Sequence, residues 1–274
     1  MARKRRVDEL LVVAGCYDDL LTAERAVRAG EVRLNDDHRT PLEKPGQMID
    51  EESTFICQPP RRFVSRGGEK LVGALADFSY SVRGLNCIDV GASTGGFTDC
   101  LLQEGAARVV ALDVAYGIID WKLRTDPRVR VVERCNIRTA TEAELTALGA
   151  PFDLLVADLS FISLETVFPV LQRCVGKKGG MILLVKPQFE AARAEVGVGG
   201  IITDAAVQQA VLARLEEVVD RAGATVRKWS YSPIKGSKGN IEFWLWVSAD
   251  SGAAPCDNRE QGSKVVKRAH ERLD

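Results

Sequence analysis

The sequence predicts a doubly wound α/β sheet preceded by a small α+β module, and three observations carry this. Between residues 67 and 248, short apolar runs alternate with stretches of helical periodicity. Most of those runs ("CIDV", "RVVALDV", "FDLLVAD", "GMILLVK") are continuous rather than alternating, as strands buried on both faces of a parallel sheet must be. Before residue 59 the pattern changes, with two short helical stretches followed by small strand-like runs.

Taken in order, Val7, Leu10, Leu11 and Ala14 share one helical face, and Gly15 is placed to end that helix. Leu21, Arg25, Ala26 and Val27 suggest a second helix that stops at Gly30. "EVRLN" reads as a strand, "DDHRTPLEKPGQ" as turn chemistry and "STFICQ" as another strand. Residues 1–58 therefore form one domain, and residues 59–66, opening on "PPRR", a linker. In the larger domain, residues 67–248, candidate strands are "CIDVGA", "RVVALDV", "FDLLVADLS", "GMILLVKP", "TVRKWSYS" and "IEFWLWVS". Helical periodicity lies between them, as in Val207, Ala210, Val211, Leu215, Val218 and Val219. Residues 249–274 read as a polar C-terminal tail, mobile over residues 249–263, that can end in a short basic helix.

Composition excludes several classes. No stretch approaches 18 uncharged apolar residues, so no membrane insertion is expected. The basic run "RKRR" is followed at once by Asp8 and Glu9, unlike a secretory leader. Seven dispersed cysteines without a CxxC, and only two histidines (His38 and His270), point to free thiols in a reducing cytoplasm and to no metal. A net charge of −1 does not advertise nucleic-acid binding. Any such contact must come from local patches, Arg3 to Arg6 and Arg61, Arg62, Arg66 and Lys70.

The chemistry gathers at strand ends. "CIDV" runs into "GASTGGFT", whose glycines permit a tight turn and a close backbone approach to a ligand at a helix N-terminus. Asp113 ends the next strand, where a carboxylate can accept from ribose hydroxyls. With no GxGxxG and no GK[ST], a dinucleotide or a triphosphate is disfavoured. Adenosine with a sulfonium tail fits, which makes S-adenosylmethionine the expected cofactor. Asp158 and Lys186 end two further strands, and a lysine is an unusual residue to close a core strand. Glu242 begins the last strand and reaches the same rim if that strand runs antiparallel. Lys70, in "SRGGEKL", lies in a helix just before the first strand.

"SRGGEKL", "DVGASTGGFTDCLL", "ALDVAYG", "DLLVADLSFISL", "LLVKPQFE" and "GNIEFWLW" occur in an order that resembles the TlyA family, an S4-type RNA-binding module joined to an FtsJ/RrmJ-like, Rossmann-like methyltransferase domain. The resemblance implies that Lys70, Asp158, Lys186 and Glu242 are the catalytic tetrad of a ribose 2′-O-methyltransferase acting on cytidine in ribosomal RNA, with ribosomal subunits as partners. It implies cofactor contacts from Asp89, Gly91, Ala92, Ser93, Gly95 and Gly96 on the first turn, and from Asp113, Val114, Asn136 and Ile137 beyond it. A 2′-hydroxyl is a poor nucleophile and a sulfonium methyl a strong electrophile, so the enzyme needs alignment and one proton acceptor, for which Lys186 is the candidate in an in-line transfer.

RNA contact would come from Arg3, Lys4, Arg6, Arg25 and Arg28 in the small module and from Arg61 and Arg66 in the linker. Phe161, able to stack on an extruded base, and the loop residues Arg193 and Lys238 complete the set. The module departs from the family pattern in having "DDLL" where a Ser-Arg pair usually opens the second helix, and Asn35-Asp36 where Asn-Gly usually follows the strand. Residues 1–70 balance thirteen basic with thirteen acidic side chains, so the module is not net positive. Two other readings stay open: a non-catalytic RNA-binding assembly factor, and the haemolytic role attached to the family's name. The oligomeric state is not legible.

Overall fold

In a computed structural model, residues 3–28, 30–35, 41–57, 62–250, 252 and 262–274 are described. The chain divides into two compact units, Met1–Arg62 and Phe63–Asp274.

In the first unit, β1 (Lys4–Arg6) leads into α1 (Val7–Val13) and α2 (Leu20–Arg28), followed by β2 (Val32–Leu34), β3 (Met48–Asp50) and β4 (Phe55–Cys57). β1 pairs antiparallel with β3, and β2 with β4. Val7, Leu11, Ala23, Ala26, Val27 and Val32 form the small core. β1 and β3 have no counterpart in the sequence reading: β1 is the basic run "KRR" and β3, "MID", follows directly on a stretch of turn chemistry.

The second unit opens with α3 (Arg66–Phe78), capped by Ser65. It continues through β5 (Asn86–Val90), α4 (Gly96–Gln103), β6 (Arg108–Leu112), α5 (Trp121–Arg124), β7 (Val129–Val132), α6 (Glu142–Leu148), β8 (Phe152–Ala157), α7 (Leu164–Cys174) and β9 (Val175–Val185). It closes with α8 (Pro187–Glu190), α9 (Ala205–Arg221), β10 (Thr225–Tyr231), β11 (Phe243–Ser248) and α10 (Gly262–Leu273). Seven strands form one sheet in the order β10-β11-β9-β8-β5-β6-β7. β7, β6, β5, β8 and β9 are parallel, and β11 runs antiparallel between β9 and β10.

Side chains from α7, α9 and α10 cover one face, and those from α3 and α4 the other. This three-layer arrangement is the doubly wound Rossmann-like fold that the alternating pattern predicts. The strand β7 escaped the sequence reading: "VRVV" is an edge strand of three half-exposed valines interrupted by the exposed Arg130. The start of the tail holds the described residues up to 250, and residues 253–261, read as mobile, lie outside the described set. Its end is the helix α10, which buries Val265, Val266 and Ala269. Among the described residues, no helix is long and apolar enough to cross a membrane.

Strand order reverses between β5 and β8, and register brings four strand ends to that point. Val90 pairs with Ala157, Ala157 with Leu183, and Val185 with Phe243. The next residue of each parallel strand is then Gly91, Asp158 and Lys186. Because β11 is antiparallel, the residue before its start, Glu242, falls opposite Lys186.

Candidate active site

The first glycine turn is shaped by how closely two strand ends approach. Gly91 has φ of 84°, and a Cβ there would stand 2.5 Å from the carbonyl oxygen of Asp158. Only glycine fits both conditions. Gly95, at φ of 97°, is the N-cap of α4. Asp113, which follows β6, holds the turn from the side: its Oδ2 accepts from the Ser93 N–H at 2.7 Å and its Oδ1 from the Ala115 N–H at 2.8 Å.

A cavity of about 450 Å³ opens beside this turn. Gly91, Ser93, Asp113, Val114, Asn136 and Ile137 line it, with Asp158, Leu159 and Phe161 also on its walls. Its size suits a nucleoside-sized ligand. Asp89, Ala92, Gly95 and Gly96 do not line it. Asp89 is fully buried, its Oδ2 accepting from Thr98 Oγ1 at 2.7 Å and its Oδ1 without a hydrogen-bond partner. Burial pushes this carboxyl up to about 7, against the Thr98 hydrogen bond, and the nearby carboxylates Asp158 and Asp113 push the same way. Two carboxylates, Asp113 and Asp158, line the cavity and favour a cationic ligand. The residues therefore fit S-adenosylmethionine, whose ribose Asp113 can engage.

A second cavity, about 470 Å³, is lined by Lys186, Gln188, Phe189, Lys238, Asn240 and Glu242 among others. Ser160 and Phe161 line both cavities. Phe161 is 89% exposed, sits at φ of 63°, and its ring lies 5.0 Å from that of Phe189. A bulky exposed ring held in the left-handed region is a strained arrangement of the kind that collects at functional sites.

The four charged candidates form two ion pairs. Lys70 Nζ donates to Glu242 Oε2 at 2.6 Å, with both side chains nearly buried. Lys186 Nζ stands 2.5 Å from Asp158 Oδ1, a charge contact without hydrogen-bond alignment, and donates to Ser160 Oγ at 3.0 Å. The sequence reading overlooked Ser160 and Phe189. The serine is separated from Asp158 by one residue, and nothing in a lone Ser-Phe step marks it.

Of the RNA-contact candidates in the second unit, Lys238 lines the second cavity, while Arg193 is exposed in a single helical turn, Arg193–Glu195. Arg66 is exposed and donates to the Lys235 carbonyl at 2.8 Å. In the first unit, Arg3, Lys4, Arg25 and Arg28 are exposed. Arg6, also exposed, grips the buried Asp8 through two hydrogen bonds of 3.0 and 2.6 Å, and this holds the Asp8 carboxyl below the usual carboxylate range. Arg61 lies outside the described residues.

A glycine turn, a carboxylate at the end of the second strand and a strand-end lysine beside one crevice mark a methyltransferase of Rossmann-like fold. The chain belongs to the TlyA family of FtsJ-like methyltransferases: the FtsJ-like methyltransferase model matches residues 63–249. It is 42% identical to the 16S/23S rRNA (cytidine-2'-O)-methyltransferase TlyA of Mycobacterium tuberculosis, over 93% of each chain. It is 37% identical to Hemolysin A of Brachyspira hyodysenteriae, over 87% of this chain and 97% of that one. The solved structure of a "putative hemolysin" from Streptococcus thermophilus matches with a TM-score of 0.73 at 38% identity, covering 99% of this chain and 98% of that one.

Proposed function

We propose that the chain transfers a methyl group from S-adenosylmethionine to the 2′-hydroxyl of a cytidine in ribosomal RNA. The observation that carries the reading is the pair of lysine–carboxylate contacts, Lys186–Asp158 and Lys70–Glu242, with Lys186, Asp158 and Glu242 at strand ends and Lys70 on α3, next to two cavities that share Ser160 and Phe161. The names of relatives that are rRNA (cytidine-2'-O)-methyltransferases support the substrate class.

Gly91, Ser93, Asp113, Val114, Asn136 and Ile137 would hold the cofactor, which supplies an electrophilic methyl on a cationic sulfur. Asp158 and Ser160 fix the direction of Lys186 Nζ. A 2′-hydroxyl seated in the second cavity beside Nζ would pass its proton to that amine as its oxygen takes the methyl and the methyl's bond to sulfur breaks. Glu242 fixes Lys70 across the same rim. Phe161 and Phe189 offer faces on which an extruded base can stack. The first unit acts as an S4-type RNA-binding domain through phosphate contacts from Arg3, Lys4, Arg25 and Arg28.

The test is transfer of labelled methyl to separate small and large ribosomal subunits that lack the modification, comparing the protein with its Lys186→Ala variant. Label mapped to a ribose 2′-hydroxyl, and reduced about 10²-fold or more in the variant, is the expected result. If the protein binds cofactor yet labels neither subunit nor free ribosomal RNA, the reading fails and a purely binding role replaces it. Leakage of liposomes by the purified protein would point to the haemolytic role instead.

A further inference from the structure

We propose that a closed ring of hydrogen bonds through Asn240, Gln208, His270 and Asp274 positions the wall of the second cavity, and with it Glu242, so that Asn240 and Gln208 are positioning residues for methyl transfer. This rests on the reading of that cavity as the site of the target nucleoside.

The ring starts at the cavity wall. Asn240 is almost fully buried, and its amide reads one donor and one acceptor of the turn at 197–202: Oδ1 accepts from the Ile202 N–H at 2.9 Å, and Nδ2 donates to the Gly200 carbonyl at 2.8 Å. Gly200, Gly236 and Asn240 all line the second cavity. The Ile202 carbonyl accepts from Gln208 Nε2 at 3.0 Å, which orients the fully buried Gln208 amide and turns its Oε1 toward His270 Nε2, 2.9 Å away. His270 Nδ1 lies 2.6 Å from Asp274 Oδ2. Asp274 Oδ1 accepts from Lys235 Nζ at 2.7 Å. Lys235 is joined covalently to Gly236, whose N–H donates to the Asn240 carbonyl at 2.9 Å, and the ring closes.

Two segments that wall the cavity are thereby tied to each other and to α10. The segment 235–240 also sets the room for Glu242: a Cβ on Gly236 would come within 2.5 Å of Glu242 Oε1. Glu242 in turn holds Lys70. The two buried side chains of the ring, Asn240 and Gln208, make their side-chain hydrogen bonds within it, while His270 is half-buried and Asp274 exposed. Gln208 and Asn240 are buried amides that the chemistry proposed above does not use. An aspartate at 240 would keep the size of the side chain but set a carboxylate oxygen against the Gly200 carbonyl, and an alanine at 274 would open the ring at its solvent-facing end.

The experiment compares Asn240→Asp, Asp274→Ala, Asp274→Glu and the Asn240→Asp/Asp274→Ala double variant by three readouts. These are kcat on ribosomal RNA, the Kd for S-adenosylmethionine, and amide exchange at Ile202 and Gly236. Each of the first two variants should lower kcat about fivefold while the cofactor Kd stays unchanged. Asp274→Glu should restore part of the loss. The double variant should lose no more than the worse single variant, because independent distant sites multiply their effects and members of one ring do not. Exchange at Ile202 and Gly236 should quicken in Asp274→Ala, which removes only an exposed side chain and therefore folds even if Asn240→Asp does not. Unchanged kcat and unchanged exchange in Asp274→Ala overturn the ring, as do losses that multiply in the double variant. If the protein itself transfers no methyl to ribosomal RNA, the functional reading fails, and the exchange rates still decide whether the ring holds the wall.

Discussion

Asp89 lies beneath the first glycine turn with Oδ1 unpartnered, and its carboxyl is pushed up to about 7 chiefly by burial. Its ordinary value of 3.8 applies in the unfolded chain, so between about pH 4 and pH 7 the folded protein holds a proton that the unfolded chain has released. The stability this gives is fully present below the unfolded value and is lost as the pH rises through the folded one. At about 1.4 kcal/mol for each pH unit, the loss is on the order of 4 kcal/mol. Asp89→Asn should remove most of this slope, so that denaturant unfolding at about pH 5 and about pH 8 differs far less than in the unaltered protein. Parallel pH profiles for the two proteins would show that the carboxyl titrates normally. Single residues of this kind were unevenly legible in the sequence. Lys186 and Asp158 stood out because a charge that ends an apolar strand is costly unless it has work or a partner. The burial of Asp89 was not legible, since the same "DV" step places its side chain above or below the turn depending on helix packing.

At the scale of elements, the crevice depends on β5 and β8 ending in backbone contact. The apolar runs announced the strands, and the glycines announced a turn. Their sequence could not announce that Gly91 meets the Asp158 carbonyl, because that distance is set by pairing between strands more than sixty residues apart. Gly91→Ala should therefore destabilise the protein by about 2 kcal/mol or more, from the positive φ and the collision together, and should weaken cofactor binding more than Gly95→Ala does. Thermal unfolding and cofactor titration of the two variants check this, and wild-type stability in Gly91→Ala would mean that the strand ends can part. The antiparallel placement of β11 was conditional in the sequence, and it is what sets Glu242 opposite Lys186. In contrast, β7 could not be read, because a short edge strand is stabilised by one neighbour and needs little apolar surface of its own.

Over the whole molecule, 37 basic and 38 acidic side chains cancel, so affinity for a polyanion must come from how charges are distributed. In the first unit Arg6 is spent on Asp8, and Arg5 lies 2.9 Å from Glu9, whereas Arg25 and Arg28 lie exposed on α2. Arg28 approaches Glu24 only to 4.0 Å, an exposed pair that contributes little. Sequence reading weighted all these arginines alike, because the pairing of Arg6 with a buried aspartate two residues away is a fact of packing. If Arg25 and Arg28 each meet a phosphate, the doubly reversed variant Arg25→Glu/Arg28→Glu should lose affinity for ribosomal RNA. The slope of log K against log salt should also shrink in magnitude by roughly 1.5, at 0.7 to 0.9 for each contact removed. The affinity for S-adenosylmethionine should not move, since the cofactor cavity is lined by the second unit alone. Titrations of ribosomal RNA across a salt series measure the slope directly. An unaltered slope with normal affinity would take α2 out of the RNA interface and leave phosphate contact to the cations around the second cavity, where Lys238 is the first to test.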